Sequence, residues 1–448
     1  MQAGELNAET ELVGGAGQAT ATFIQTGGVN AVNRGGGRTG TLSVDHVGTY
    51  ELQGGQLLAS IENIGVSANT TARFLQTGGV NRLDFNDAGL GFLFVDHGGS
   101  YRLNVPAVPE DDPAAGADHL RATRQSIGVD AQGEFLHDSG NNRVTETLSI
   151  GTNVAGAGLY HLASGALTAT NVYVGESATG AGSPSGFGGW FRHLGGMNSV
   201  VDLWVGKNTD SKGYYELAGT GFVTAAYVNI GARSKFEQSG GQVEVASKED
   251  SYLYLHPGVP SGAGGWYHIR AGRLAAQYEW IDGYFTQTGG TNGAVVVGIG
   301  MTGEHAGQYS LDGGTLSANL VHVGPLSRFR YFGGLLVADV RNDGAFEVVA
   351  EREPLLIIGD FENNGEFEHT GYAPIIIGSY SGDGGFQAHS NSNYFRDVSI
   401  GETGYFSGAE GSRFHVSGDF TNLSSASSEW DTTRATLVLE PISSPAVP

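Results

Sequence analysis

Tyr50-Glu51-Leu52-Gln53-Gly54-Gly55 is followed, 24 residues on, by Phe74-Leu75-Gln76-Thr77-Gly78-Gly79, and this pair of segments decides the fold. An aromatic residue four positions before a small-Gly or Gly-Gly pair recurs along the chain. Copies begin at Phe23, Tyr50, Phe74, Tyr101, Phe135, Tyr160, Phe191, Tyr215, Phe236, Tyr267, Phe285, Tyr309 and Phe329, the Tyr101 copy being degenerate. A β-branched residue followed by Gly marks the far side of most copies, as in Ile64-Gly65, Ile127-Gly128, Ile150-Gly151 and Val205-Gly206. Between the marks lie short alternating stretches such as Thr168-Ala169-Thr170-Asn171-Val172-Tyr173-Val174, which read as strands. No sustained helical period occurs. Short strands at a fixed period with glycine at the corners cannot bury their apolar faces one repeat at a time, so the chain must coil and stack on itself. The expected fold is an all-β, right-handed parallel β-helix (β-solenoid) with Gly-rich corners.

The first residue of the copies alternates Phe, Tyr, Phe, Tyr without exception. The residue two further on alternates with it: Leu52, Leu103, Leu162, Leu217, Ile269 and Leu311 after Tyr, and Gln25, Gln76, His137, His193, Gln238, Gln287 and Tyr331 after Phe. If coils stack at about 4.8 Å, equal residues form ladders along the axis. One copy per coil would set each Gln between two Leu, whereas two copies per coil would let amide ladders satisfy their own donors. The reading favours coils of ~50 residues made of two ~24-residue half-repeats. The plainer alternative is that tandem duplication left the alternation behind and coil width is one copy.

The chain has 448 residues, with 74 glycines and 12 prolines. At 40% hydrophobic residues it has the apolar content for a core. Lys plus Arg (23) against Asp plus Glu (46) gives a net charge of -23, opposite in sign to what phosphate backbones attract, so nucleic acid is not an expected partner. Cysteine is absent, which removes disulfides and thiolate metal sites. No apolar run is long enough for a transmembrane segment, and the first residues lack the pattern of a signal peptide. Two insertions interrupt the period, the Pro-rich acidic stretch Val105 to Gly116 and the Gly/Ser/Ala stretch Glu176 to Gly189. The expected organisation is a solenoid with alternating repeats over 1–340, its continuation with a divergent repeat over 341–440, and a tail at 441–448. The opening residues enter mid-repeat at Leu12-Val13-Gly14, without a capping helix, which raises end-to-end association with a second copy.

Motifs with a chemical mechanism are absent: no phosphate-binding loop, no Gly-x-Ser-x-Gly, no His-Glu-x-x-His and no calcium-binding helix-loop pattern. Acidic groups at Glu110-Asp111-Asp112, Glu249-Asp250 and Glu351/Glu353 sit in turn-like stretches and read as solvated charge. The expectation is no catalytic residue, no bound cofactor and no enzyme activity. One repeated pair invites a metal: Asp45-His46 and Asp96-His97 lie 51 residues apart, and wide coils would bring all four side chains to one divalent ion. Narrow coils would hold them about 9.6 Å apart, twice the coil spacing. Calcium is the other ion considered, at acidic corners such as Asp84-Phe85-Asn86-Asp87 and Asn342-Asp343-Gly344. For ligands, an outward aromatic column would stack against sugar rings, with Tyr50, Tyr160, Trp190 and Trp266 as the residues to examine and Trp204 and Trp280 beside them. If the column points inward it is core.

The alternation of aromatic-x-Leu-x-Gly-Gly with Phe-x-Gln-Thr-Gly-Gly, punctuated by Val/Ile-Gly over residues 12 to 334, resembles bacterial secreted β-helix repeat proteins. These are proteins of the autotransporter-passenger type and PEP-CTERM-type surface proteins. The stretch Gly418-Asp419-Phe420-Thr421-Asn422-Leu423-Ser424 with Trp430-Asp431-Thr432-Thr433 is similar to a segment near the end of such proteins. The resemblance implies an extracellular or cell-surface location and a structural or matrix role, and it brings no catalytic set. The leading expectation is an extracellular structural protein that assembles head to tail into filaments. A polysaccharide-binding adhesin follows it, and a β-helical polysaccharide lyase or hydrolase comes third.

Overall fold

A computed structural model describes residues 1–15, 20–32, 40–83, 91–106, 117–177, 186–258, 264–389, 392–426 and 435–439. The chain is an all-β parallel solenoid, and among the described residues no helix is long and apolar enough to cross a membrane. It divides into two compact units, Met1–Ser247 and Lys248–Pro448. The change of repeat at residue 341 lies inside the second.

In the first unit the early coils carry three strands, and from Leu120 on the second and third join in several coils, as in Asn141–Ile150 and Ala166–Val174. The coil opened by Tyr50 runs through Gly48–Leu52, Gln56–Ala59 and Ile61–Ile64, and the next through Arg73–Gln76, Val80–Arg82 and Phe92–Val95. Each strand pairs in parallel with its counterpart one coil away. Alternation does the sorting: Tyr50, Leu52, Leu57, Ala59 and Ile64 point inward and are buried, while the residues between them face outward. The glycine pairs allow the close approach of successive corners. Gly55 has a φ of 81°, and a Cβ there would run into the Gly28 carbonyl one coil below.

Coil width is one copy, not two, which corrects the ~50-residue expectation. Phe23 is in register with Tyr50, Tyr50 with Phe74 and Phe74 with Tyr101, while Gln25 faces Leu52 and Leu52 faces Gln76. The rings stack face to face with centroids 4.6 to 5.0 Å apart, an arrangement worth about 1 kcal/mol per pair beyond area burial.

The expectation failed because the glutamine does not need a like partner. Gln76 Oε1 accepts from the Tyr101 hydroxyl of the next coil at 2.7 Å, and its Nε2 donates to the His119 carbonyl at 2.8 Å. The same tyrosine hydroxyl accepts from Asn81 Nδ2 at 3.2 Å. Tyr50 lies likewise between Gln25 and Asn30, and Tyr309 between Gln287 and Asn292. Where His replaces Gln the pattern holds. His137 meets the Tyr160 hydroxyl at 2.9 Å through Nδ1 and the Gly140 carbonyl at 2.9 Å through Nε2, and Asn142 donates to that hydroxyl at 3.1 Å. The carbonyl fixes Nε2 as the protonated nitrogen, so Nδ1 accepts and the imidazole is neutral. The coils opened by Phe23, Phe74, Phe135, Phe191 and Phe285 therefore each bring two buried polar side chains, and one hydroxyl of the Tyr coil above bonds to both.

The second unit uses longer strands, Trp266–Ile281, Tyr284–Ile299, Gln308–Val323 and Arg328–Asn342, paired in that order. Beyond them the ladder is phenylalanine alone, with Phe329 on Phe346, then Phe367, Phe386 and Phe406. Here amides do stack on each other: Asn342 Nδ2 donates to Asn363 Oδ1 at 2.7 Å.

Candidate functional site

Pleating settles which aromatics are available to a ligand. Tyr50 and Tyr160 belong to the internal ladder and are fully buried, so they are core residues and not part of an outer face. Their immediate neighbours point the other way. Trp190 precedes Phe191 and Trp266 precedes Tyr267, and each lies in an outward column of its own unit, one residue before the ladder.

In the second unit that column reads Trp266, Tyr284, Gln308, Arg328 on four successive coils. Trp266 is 40% and Tyr284 43% exposed, a large outlay of aromatic surface for side chains whose packing needs are met elsewhere. His268 lies parallel to Trp266 at 6.2 Å, and the indole Nε1 donates to Thr286 Oγ1 at 3.4 Å. Beyond Tyr284 the surface sinks into a shallow depression bounded by Gln308, Leu326, Arg328, Asp343 and Glu366. Arg328 is held by Glu347 at 2.8 Å.

The first unit repeats the arrangement with Trp190, Tyr214 and Lys235 on successive coils. Trp190 and Tyr214 lie 5.9 Å apart, Phe187 stacks on Tyr214 at 5.0 Å, and Lys235 Nζ sits 5.9 Å from the same ring. Glu237 fixes both ends, accepting from the Tyr214 hydroxyl at 2.8 Å and pairing with Lys235 at 2.9 Å. Each row thus runs Trp, Tyr, then to a cation, with coils about 4.8 Å apart. Flat apolar faces beside hydrogen-bonding edges suit a ligand that has both, as a sugar ring does. Trp204 and Trp280 occupy a different outward column, beside Tyr173 and Tyr254 respectively. Tyr214, Tyr284, Gln308 and Arg328 were not singled out from sequence. The signal was present, since reading the position before each Phe or Tyr of the aligned copies spells out both rows.

The Asp-His pairs are corner devices, and the structure does not bring them together. Val44, Ile64 and Val95 are in register on successive coils, so Asp45 and Asp96 stand two coils apart, too far to share an ion. Their oxygens are also engaged. Asp45 accepts from the backbone N–H groups of Val66 and Ser67, both at 3.0 Å, and from Ser67 Oγ at 2.7 Å. Asp96 accepts from Val129, Asp130 and Ala131. Burial raises the Asp45 carboxyl, but hydrogen bonds from Ser67, His46 and Val66 outweigh it and hold the pKa at about 2. His46 and His97 take left-handed backbone, φ 52° and 51°, with Nδ1 3.2 and 3.1 Å from the neighbouring aspartate.

Among the described residues no three His, Cys, Asp or Glu side chains gather as a metal site. Asp343, at one corner considered for calcium, receives His322 at 2.7 Å, Arg341 at 3.1 Å and Asn364 at 3.1 Å. The corner at 84–87 and the acidic run at 110–112 lie outside the described residues, as do 430–433 and the 441–448 tail. Glu353 is tied to the Gly334 N–H at 3.0 Å. No known family model matches the chain, and no curated protein matches its sequence.

Proposed function

We propose that this protein is an extracellular, cell-surface or matrix scaffold whose outer face binds polysaccharide along the Trp-Tyr rows. The observation that carries the reading is the exposure of Trp266 and Tyr284 on adjacent coils, beside Gln308 and Arg328. Two indole or phenol faces in line offer stacking to consecutive sugar rings, and the amide and guanidinium offer hydrogen bonds to hydroxyl or carboxylate groups. The acidic composition and the resemblance to secreted β-helix proteins support the location. A glycan array followed by titration calorimetry tests it. Trp266→Ala and Tyr284→Ala are each expected to weaken binding at least tenfold, by analogy with aromatic anchors at interfaces, with the melting temperature unchanged. A flat response across the array removes the reading.

End-to-end assembly into filaments is the second reading. Its support is the translational character of the stacking: Phe on Tyr on Phe in constant register is a repeating operation, and head-to-tail contacts of that kind generate filaments. Electron microscopy at rising concentration checks it, and particles that stay monomeric throughout count against it.

A further inference from the structure

One inward column of the first unit reads Glu11, Leu42, Glu62, Leu93, Gln125 on consecutive coils. Glu62 is fully buried, as is Glu279 in the second unit. Each receives one hydrogen bond from the asparagine of the following coil, Asn81 Nδ2 to Glu62 Oε2 at 3.0 Å and Asn292 Nδ2 to Glu279 Oε2 at 3.0 Å. In both pairs the remaining atoms, Glu Oε1 and Asn Oδ1, are buried without a partner. Two orphaned acceptors, one on each partner of an existing bond, are what a missing proton leaves behind. Glu11 and Asn30 repeat the pattern in a less buried setting, with a bond of 2.8 Å and the same two orphans.

Gln125 occupies the same column and supplies the comparison. Its amide and that of Asn142 bond both ways, Gln125 Nε2 to Asn142 Oδ1 at 2.7 Å and Asn142 Nδ2 to Gln125 Oε1 at 3.0 Å. A neutral side chain with a donor on its second terminal atom closes the ring, and a protonated carboxyl is such a side chain.

We propose that Glu62 and Glu279 are stored as neutral carboxylic acids, each closing a two-bond ring with an asparagine of the next coil, and that their deprotonation is an alkaline release for those coils. The acid O–H donates to the Asn Oδ1 and the Asn N–H to the acid carbonyl. Loss of the proton to hydroxide leaves two facing acceptors and a buried charge. The groups acting on Glu62 are the Asn81 amide and the Glu11 carboxyl, and the Tyr50 and Tyr101 hydroxyls feel its charge in turn. The Asn292 amide acts on Glu279, whose charge the Tyr309 hydroxyl feels. Burial, offset in part by the asparagine bond, pushes each carboxyl up to about 8.

An unfolded glutamate titrates near 4.5. The folded state therefore holds more protons between that pH and about 8, and stability falls across this window before levelling off. Each acid makes the folding equilibrium about tenfold less favourable per pH unit in the middle of the window. Buried histidines act only below their ordinary pKa of 6.5, so the interval from there to about 8 isolates the acids.

The experiment is melting temperature against pH for the wild type and for Glu62→Gln with Glu279→Gln, together with infrared detection of the protonated-carboxyl C=O stretch in the wild type. The wild type should lose stability toward pH 8, and the double variant, which mimics Gln125, should stay folded with a flatter profile. The C=O band should be present near neutrality, fade toward pH 9 and be strongly reduced in the variant, where the less buried Glu11 is left. A wild type with no such band at neutral pH, or a variant with the wild-type slope, overturns the proposal. The infrared readout needs no variant, so it decides the matter even if the variant fails to fold.

Discussion

The coils that alternate Phe and Tyr and the all-Phe coils after Phe329 share one parallel ladder geometry but solve the core's polar problem differently. In the alternating coils, Gln76 and Asn81 sit on opposite sides of the Tyr101 hydroxyl from the coil above. In the all-Phe coils Asn342 donates to Asn363, Asn363 donates to the Tyr380 hydroxyl of a separate inward column at 3.0 Å, and the aromatic ladder above Phe346 itself carries no hydroxyl. Within the alternating coils the identity of a ring in the ladder thus follows from the polar side chains one coil below it, since stacking alone accepts either ring.

The largest expected effect breaks this correspondence. Tyr101→Phe removes one donor and one acceptor between two fully buried amides and should cost about 2–4 kcal/mol at almost no change in volume. Combining it with Gln76→Leu should recover part of that loss, giving a coupling of about 1 kcal/mol or more in a double-mutant cycle from chemical denaturation. The reverse change, Phe367→Tyr, places a hydroxyl in a ladder with no polar counterpart arranged for it and should cost about 1–3 kcal/mol. If both substitutions prove neutral, the ring type is ornamental and the comparison fails.

A smaller effect sharpens the comparison within the alternating coils. Burial lowers the pKa of His137 and His193 to about 4, against an ordinary 6.5. The unfolded chain takes up protons first as pH falls, so these histidines subtract stability between about 6.5 and 4. His137→Gln with His193→Gln should change stability by about 1 kcal/mol or less at neutral pH, because Gln25 and Gln76 already make the same bonds. The double variant should flatten the acid limb of a melting-temperature profile. At the corners, Asp96→Ala is expected to cost about 1–2 kcal/mol through three orphaned N–H groups, checked by the same denaturation series.

The solenoid, its strands and its copy boundaries were legible because period and alternation are written into side-chain type. Coil width was misread for a definite reason. The rule that buried amides need partners is sound, but the partner was sought among like residues, while it came from tyrosines counted as apolar. A further sign was overlooked: seven residues after Phe23, Phe74, Phe135, Phe191 and Phe285 stands an asparagine, Asn30, Asn81, Asn142, Asn198 and Asn292. Each donates to the tyrosine hydroxyl of the next coil. Of the residues considered for sugar binding, the tryptophans face outward and the tyrosines inward. Alternation around the Gly-Gly mark settles this once the ladder's direction is known. The Asp-His pairs drew attention as a conjunction of ligand types, yet their spacing reflects a corner in which aspartate reads the backbone of the following coil.

The Tyr hydroxyl between two amides also gives the molecule a parity. Removing one coil from the alternating region would set Gln on Gln and Phe on Phe, or Leu on Leu with a stranded hydroxyl, whereas removing two restores every bond. Natural variants of this architecture should therefore differ in length by even numbers of coils, the molecular unit of inheritance being twice the geometric one.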